Sequence, residues 1–104
     1  MIIHVLNKNT LIIDDFILNC CIGKKGLNSN KKEADYSTPK GLFNLKKLYF
    51  RKDRVGIPKC RLTKQVIKKN MAWCDDPNHR KYNEEIKTVN KILKENLYRK
   101  DHKY

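Results

Sequence analysis

The chain has 104 residues and a net charge of +13, because its 24 Lys and Arg residues outnumber its 11 Asp and Glu residues. This length favours a single small domain over residues 1–104, with room for only a modest core. No apolar run reaches about 18 residues, which excludes a membrane-spanning helix, and the apolar residues 2–6 are too few for a signal peptide.

The positive residues are spread from Lys8 to Lys103 rather than collected in one block, so they do not outline a nucleic-acid footprint. Compositional bias of the source is one interpretation of the lysine excess. The functional alternative is an anionic partner, which leaves nucleic acid, a membrane surface or another anionic polymer open. A small basic nucleic-acid-binding module is therefore kept as an alternative. The four cysteines include no C-x-x-C pair, and we expect neither a metal site nor a cofactor.

The first part of the chain has the pattern of β-strands. Residues 2–6 and 11–13 are apolar and rich in β-branched side chains on either side of a polar turn, which predicts a hairpin. Residues 16–22 form another apolar run, short and uniform enough to predict a strand that is covered on both faces.

A long loop over residues 23–43 follows, and residues with special backbone preferences control both of its ends. It contains three of the chain's four glycines, and Thr38 directly precedes Pro39, which biases Thr38 towards an extended conformation. A solvated surface loop is one interpretation. A loop of this length with so specific an exit also fits a binding site.

Beyond the loop, apolar and polar residues alternate over residues 43–50 and again over residues 60–66, which predicts two more strands. Residues 51–58 are predicted to form a turn or loop. The composition of residues 71–83, with Asp75-Asp76-Pro77, is typical of turns and predicts an irregular segment.

From Asn83 the pattern becomes helical, and an amphipathic helix is predicted over residues 84–98. Glu84 and Glu85 suit the positive end of such a helix. We expect its apolar stripe to dock onto the sheet, and that stripe consists of Ile86, Val89, Ile92, Leu93 and Leu97.

Three motifs occur in order along nearly the whole chain. The first is an apolar strand, Gly23-x-x-Gly26, a basic spacer and Glu33-x-Asp35-x-x-Thr38-Pro39-x-Gly41-x-Phe43. The second is Trp73-Cys74-Asp75-Asp76-Pro77 followed by Tyr82-Asn83, and the third covers residues 97–104. Together they resemble the first part of the YkuD-type L,D-transpeptidase catalytic domain. That family usually has glycine where this chain has Ala34 and Tyr36.

The resemblance implies acyl transfer between stem peptides of peptidoglycan, in the cell envelope. The absence of a signal-peptide pattern leaves a cytoplasmic location open as the alternative. A cysteine thiolate attacks the donor carbonyl, and a histidine handles the protons. The family supplies that thiolate from a Ser/Thr-x-Gly-Cys segment, and no cysteine of this chain follows a glycine. We therefore expect a truncated, L,D-transpeptidase-like protein without a catalytic residue of its own. Cys60 has the most favourable setting for a reactive thiol, because Lys59 and Arg61 flank it.

The resemblance also implies the fold class: mainly β with one C-terminal amphipathic helix, in an incomplete YkuD-like β-sandwich. Edges left open in such a sheet favour self-association. By the same resemblance, ten residues match positions that face the stem peptide, although each also has a purely structural interpretation. They are Glu33, Asp35, Thr38, Pro39, Gly41, Trp73, Asp75, Asp76, Tyr82 and Asn83.

Overall fold

The computed structural model describes all residues from Met1 to Tyr104 and contains ten β-strands and no helix. The strands form four small sheets and cluster into two compact units, Met1–Phe43 and Asn44–Tyr104. With no helix present, no segment of the structure has the form of a membrane-crossing helix.

The first unit opens with an antiparallel meander of β1 (Ile3–Val5), β2 (Thr10–Ile13) and β3 (Phe16–Asn19). Ile3 pairs with Ile13, and Ile13 pairs with Phe16 across a tight turn in which Asp14 adopts a left-handed φ of 49°. The hairpin predicted from residues 2–6 and 11–13 is confirmed.

The strand predicted over residues 16–22 is shorter than expected, and the prediction that both its faces are covered is wrong. β3 ends at Asn19, and Phe16 and Ile17 are 70% and 75% exposed. β3 lies at the edge of its sheet, and no hydrophobic side chain of the first unit is fully buried. The apolar run therefore has no second layer to pack against within its own unit.

Two short strands then join the ends of the long loop. β4 (Leu27–Asn28) pairs in parallel with β5 (Thr38–Pro39). The Thr38 amide donates to the Gly26 carbonyl at 2.9 Å, and the Lys40 amide donates to the Asn28 carbonyl at 2.9 Å. The extended conformation expected before Pro39 is confirmed, since Thr38 is a strand residue.

The second unit holds five strands in two sheets. β6 (Lys47–Phe50) pairs in parallel with β7 (Thr63–Val66), so both strands predicted after the loop exist, although Phe43 and Leu45 lie outside β6 and are exposed. The other sheet has β8 (Met71–Cys74) at its centre, between β9 (Glu85–Lys87) and β10 (Lys94–Asn96).

β8 carries three of the seven buried hydrophobic residues, and the prediction of an irregular segment over residues 71–83 is wrong for the four residues of this strand. Met71, Ala72 and Cys74 are buried, because a central strand presents side chains to both faces of its sheet. Two clusters form around them. Ile67, Met71 and Leu97 pack with Tyr49, Trp73 and Tyr98; Ala72, Cys74 and Ile86 pack with Ile92.

The helix predicted over residues 84–98 does not exist. Ile86 lies in β9 opposite Ala72, and β10 returns along the other edge of β8. The presumed apolar stripe is split, because Ile86 and Leu97 are buried while Val89 and Leu93 are 83% and 66% exposed. β8 needs backbone partners on both edges, and this requirement outweighs the helical spacing.

The predicted fold class, mainly β with a C-terminal helix in an incomplete β-sandwich, is therefore wrong. The chain consists of strands and coil only, with 32% of residues in strands. Its sheets have three, three, two and two strands. Small sheets of short strands thus take the place of both the predicted helix and the larger sheets that a β-sandwich requires.

Candidate functional site

The loop predicted to bind a ligand is closed at its neck by two hydrogen bonds and by a close approach of the backbone at Gly23. The Gly23 amide donates to Thr38 Oγ1 at 2.7 Å, and the Lys25 amide donates to the Tyr36 carbonyl at 2.9 Å. A Cβ on Gly23 would lie 2.5 Å from the Tyr36 carbonyl oxygen, so only glycine allows this approach. The Gly23 and Thr38 of the first motif thus meet as direct partners.

Asp35 organises the far end of the loop. Its carboxylate accepts hydrogen bonds from the Lys32 amide at 2.8 Å, the Ser37 amide at 2.9 Å and the Ser37 hydroxyl at 2.7 Å, and it pairs with Lys31 Nζ at 2.7 Å. The Lys31 ammonium and these donors hold the pKa of Asp35 well below its usual range. Asp35 is therefore a charged residue that positions the loop.

Two residues of the loop adopt left-handed backbone conformations. φ is 57° at Ala34 and 56° at Tyr36. For residues with a Cβ, this conformation costs roughly 1 to 2 kcal/mol, whereas glycine adopts it freely. The backbone therefore favours glycine at two positions, one on each side of Asp35.

An open recess of about 490 Å³ lies beside the neck and is lined by Lys24, Lys25 and Tyr36. All three residues are exposed, and the Tyr36 side chain is 68% exposed. The recess thus combines two ammonium groups with one aromatic ring. Sequence reasoning missed it, because nothing in the pattern places Tyr36 next to the two lysines.

The other predicted residues of this loop have simpler positions. Glu33 is exposed on the loop, and Pro39 is an exposed residue of β5. Gly41 follows that strand, and a Cβ there would lie 3.1 Å from the Phe43 ring, which leaves little room for a side chain. Neither Pro39 nor Gly41 carries a polar side chain, and the Pro39 ring fixes φ at its own position.

The predicted residues of the second unit surround the end of β8. Trp73 Nε1 donates to Asn83 Oδ1 at 2.9 Å, and the Asn83 amide donates to the Cys74 carbonyl at 2.9 Å. Asn83 has a φ of 64°, a conformation that asparagine tolerates better than most residues. The structure therefore joins Trp73 and Asn83 directly, although ten positions separate them.

Asp75, Asp76 and Tyr82 belong to the connection that follows β8. Asp76 Oδ1 accepts the Asn78 amide at 3.0 Å, so it shapes the turn that its composition predicts. The Asp75 amide donates to the Leu93 carbonyl at 3.2 Å, and the Tyr82 amide donates to the His79 carbonyl at 2.8 Å. Asp75 and Tyr82 are exposed.

A cluster around Arg51, a residue predicted to lie in a turn, was not expected from any local pattern. Arg51 is only 5% exposed, and its guanidinium stacks 3.6 Å from the centre of the Tyr98 ring. The same guanidinium donates to both carboxylate oxygens of Asp53, at 2.8 and 2.6 Å. This pairing lowers the pKa of Asp53 to about 2. Arg54 donates to backbone carbonyls of residues 99, 100, 101 and 104. Two arginines thus hold the third motif in place.

The four cysteines are not joined in disulfides, and they differ in exposure: Cys21 and Cys60 are exposed, Cys20 is half-buried and Cys74 is buried. Cys74 is fully buried, and Cys20 Sγ lies 3.9 Å from the Asn7 carbonyl. Cys60 is exposed, and its carbonyl accepts Lys64 Nζ at 2.9 Å. His, Cys, Asp and Glu side chains do not gather in groups of three that could hold a metal ion.

Comparison of this chain with protein-family models, with curated proteins and with solved structures found no match in any of the three.

Proposed function

We propose that this chain forms the substrate-facing part of a YkuD-type L,D-transpeptidase domain and binds peptidoglycan stem peptides in the cell envelope. Three motifs in the family's order support the proposal. The closure of the loop by Gly23 and Thr38, two residues of the first motif, supports it further.

One observation carries the proposal. The family pattern has glycine at the positions of Ala34 and Tyr36, and these are the two residues of the loop 23–43, apart from Gly26, that have a positive φ. The glycine positions of the family pattern were read from the sequence, whereas the positive φ angles were read from the structure, so the two observations are independent of each other. Their agreement at both positions supports the view that this chain keeps the backbone path of the family loop despite two substitutions.

The proposal does not include acyl transfer by this chain alone. The reaction needs an accessible thiolate, a base within hydrogen-bond reach and donors for the oxyanion. No cysteine here follows a glycine, and Cys74, the cysteine in the second motif, is fully buried. We expect binding of the stem peptide without formation of an acyl-enzyme.

Calorimetric titration with a tetrapeptide stem tests the binding. The control ligand is the same tetrapeptide made of L residues only, which has the same charge and composition. We expect measurable affinity for the natural stem and weaker affinity for the control. Absence of binding, or equal binding of both peptides, would overturn the proposal.

A pair of variants tests whether the loop is responsible. Thr38→Val removes the hydroxyl that accepts the Gly23 amide and leaves that amide without its partner in the neck. Thr63→Val, at an exposed position of β7, is the matched control. We expect the first variant to lose affinity for the stem and the second to keep it. Equal affinities would show that the loop does not form the site.

Intact-mass spectrometry after incubation with the tetrapeptide stem tests the absence of acyl transfer. We expect no mass increase. An acyl adduct on any of the four cysteines would contradict the view that this chain lacks a nucleophile of its own.

Nucleic acid is the other anionic partner that a net charge of +13 favours. Binding of that kind weakens steeply as salt rises, because each neutralised phosphate releases a counterion. Steeply salt-dependent binding of mixed-sequence DNA or RNA, together with no binding of the stem peptide, would support this alternative.

A further inference from the structure

The recess lined by Lys24, Lys25 and Tyr36 has unpaired positive charge. Neither lysine forms an ion pair with an Asp or Glu side chain. Asp35, which belongs to the same loop, is engaged by Lys31 at 2.7 Å. The two ammonium groups of the recess are therefore available to an anionic group that comes from solution.

Tyr36 has an arrangement that packing does not explain. Its backbone is left-handed, which is unfavourable for a bulky residue, yet its side chain is 68% exposed and is not part of either core cluster. The hydrogen bond from the Lys25 amide to the Tyr36 carbonyl fixes this part of the backbone and places the Tyr36 ring at the wall of a recess that two lysines also line.

We propose that this recess binds a carboxylate of the stem peptide, and this inference rests on the function proposed above. The ammonium groups of Lys24 and Lys25 supply charge-assisted hydrogen bonds to the carboxylate oxygens. The Tyr36 ring supplies an apolar wall for the aliphatic side chain next to that carboxylate. The free C-terminus of a tetrapeptide stem provides both groups side by side.

The affinities of the full chain for two ligands, measured by calorimetric titration, isolate the contribution of the carboxylate. The ligands are the tetrapeptide stem with a free C-terminal carboxylate and the same peptide with a C-terminal amide. We expect the native chain to bind the acid about two- to fivefold more tightly than the amide, the ratio that a solvent-exposed ion pair provides.

A double substitution, Lys24→Gln with Lys25→Gln, should abolish this preference. It should lower the affinity for the acid about two- to fivefold and leave the affinity for the amide unchanged. The control, Lys8→Gln with Lys69→Gln, removes the same charge at two exposed positions outside the recess and should keep the preference.

The outcomes separate this inference from the function on which it rests. If the native chain binds acid and amide equally, or if both double variants lose the acid preference alike, the recess does not recognise the carboxylate and the proposed function stands. If the native chain binds neither peptide, both proposals fail.

Discussion

Two residues of the loop, Ala34 and Tyr36, have backbone conformations that suit glycine better than the side chains they carry. Ala34→Gly should raise the free energy of unfolding by about 0.5 to 1 kcal/mol, because relief of the left-handed strain exceeds the added flexibility of the unfolded chain. Urea denaturation should show a higher midpoint with an unchanged slope.

Ser29→Gly is the control for that prediction. Ser29 is an exposed residue of the same loop without a positive φ, so glycine there should lower stability. Equal effects of the two substitutions would show that Ala34 is not strained.

Asp35 makes the loop sensitive to acid. Its pKa in the folded chain lies below its usual value near 3.8, chiefly because of Lys31, so its ionised form stabilises the loop above that pH. The stabilisation is lost as the pH falls from about 4 towards the lower folded pKa. We expect an NMR titration of the Asp35 carboxyl carbon to have a midpoint well below 3.8.

Lys31→Met provides the control, because it removes the nearest cation and leaves the backbone donors in place. The midpoint of Asp35 should rise in this variant. A native midpoint at the usual value, or no rise on removal of Lys31, would contradict the assigned role of the ion pair.

At the level of elements, the second unit depends on short strands where a helix was expected. Ile86→Ala should destabilise the chain by about 2 to 4 kcal/mol, because Ile86 is buried in one core cluster with Ala72 and Cys74. Val89→Ala should change stability by less than about 0.5 kcal/mol, because Val89 is 83% exposed. Chemical denaturation of the two variants measures the difference.

The same pair of variants distinguishes the strands from the helix. On a helix, residues 86 and 89 would share one buried face, and both substitutions would be costly. Similar losses at the two positions, or a far-ultraviolet spectrum with helical minima, would contradict the strand assignment.

Local patterns predicted the elements whose partners are close in sequence. The β1–β2 hairpin and the turn at Asp76 follow from residues within a few positions of each other. The strand nature of β8 was missed, because its turn-forming neighbours obscured it and its partners β9 and β10 had the spacing of a helix. A helical period in apolar residues does not show which of them are buried together.

For the candidate site as well, single residues could be predicted from the sequence, whereas contacts between distant residues could not. Motif residues Gly23 and Thr38 were recognised individually, but their hydrogen bond across fifteen positions was not predictable from spacing. The link between Arg51 and Tyr98 was also missed, because their separation of 47 positions leaves no local pattern. Long-range pairings of this kind decide the geometry of the site, and a single sequence does not contain them in readable form.

For the whole molecule, the edge strand β3 combines exposed apolar side chains with unpaired backbone groups. Such an edge is a template for pairing with another chain. We propose that the protein self-associates through β3, and we expect an average mass that rises with concentration in sedimentation velocity.

Ile17→Lys, at the middle of that edge, should shift the protein to a monomer, because a charge there opposes strand pairing. Val89→Lys adds the same charge at an equally exposed apolar position outside β3 and should leave the association unchanged. A native chain that stays monomeric at every concentration would contradict the proposal, and so would equal effects of the two variants.

The central position of β8 has a consequence for synthesis on the ribosome. Both strands that flank Met71–Cys74 come later in the chain, and so does Leu97, which packs on Met71. A nascent chain that has exposed only residues up to Cys74 would hold its most apolar strand without a partner on either side. The β1–β2–β3 meander, by contrast, has every partner available as soon as Asn19 emerges. Chaperones that bind nascent chains should therefore contact the second unit for longer than the first.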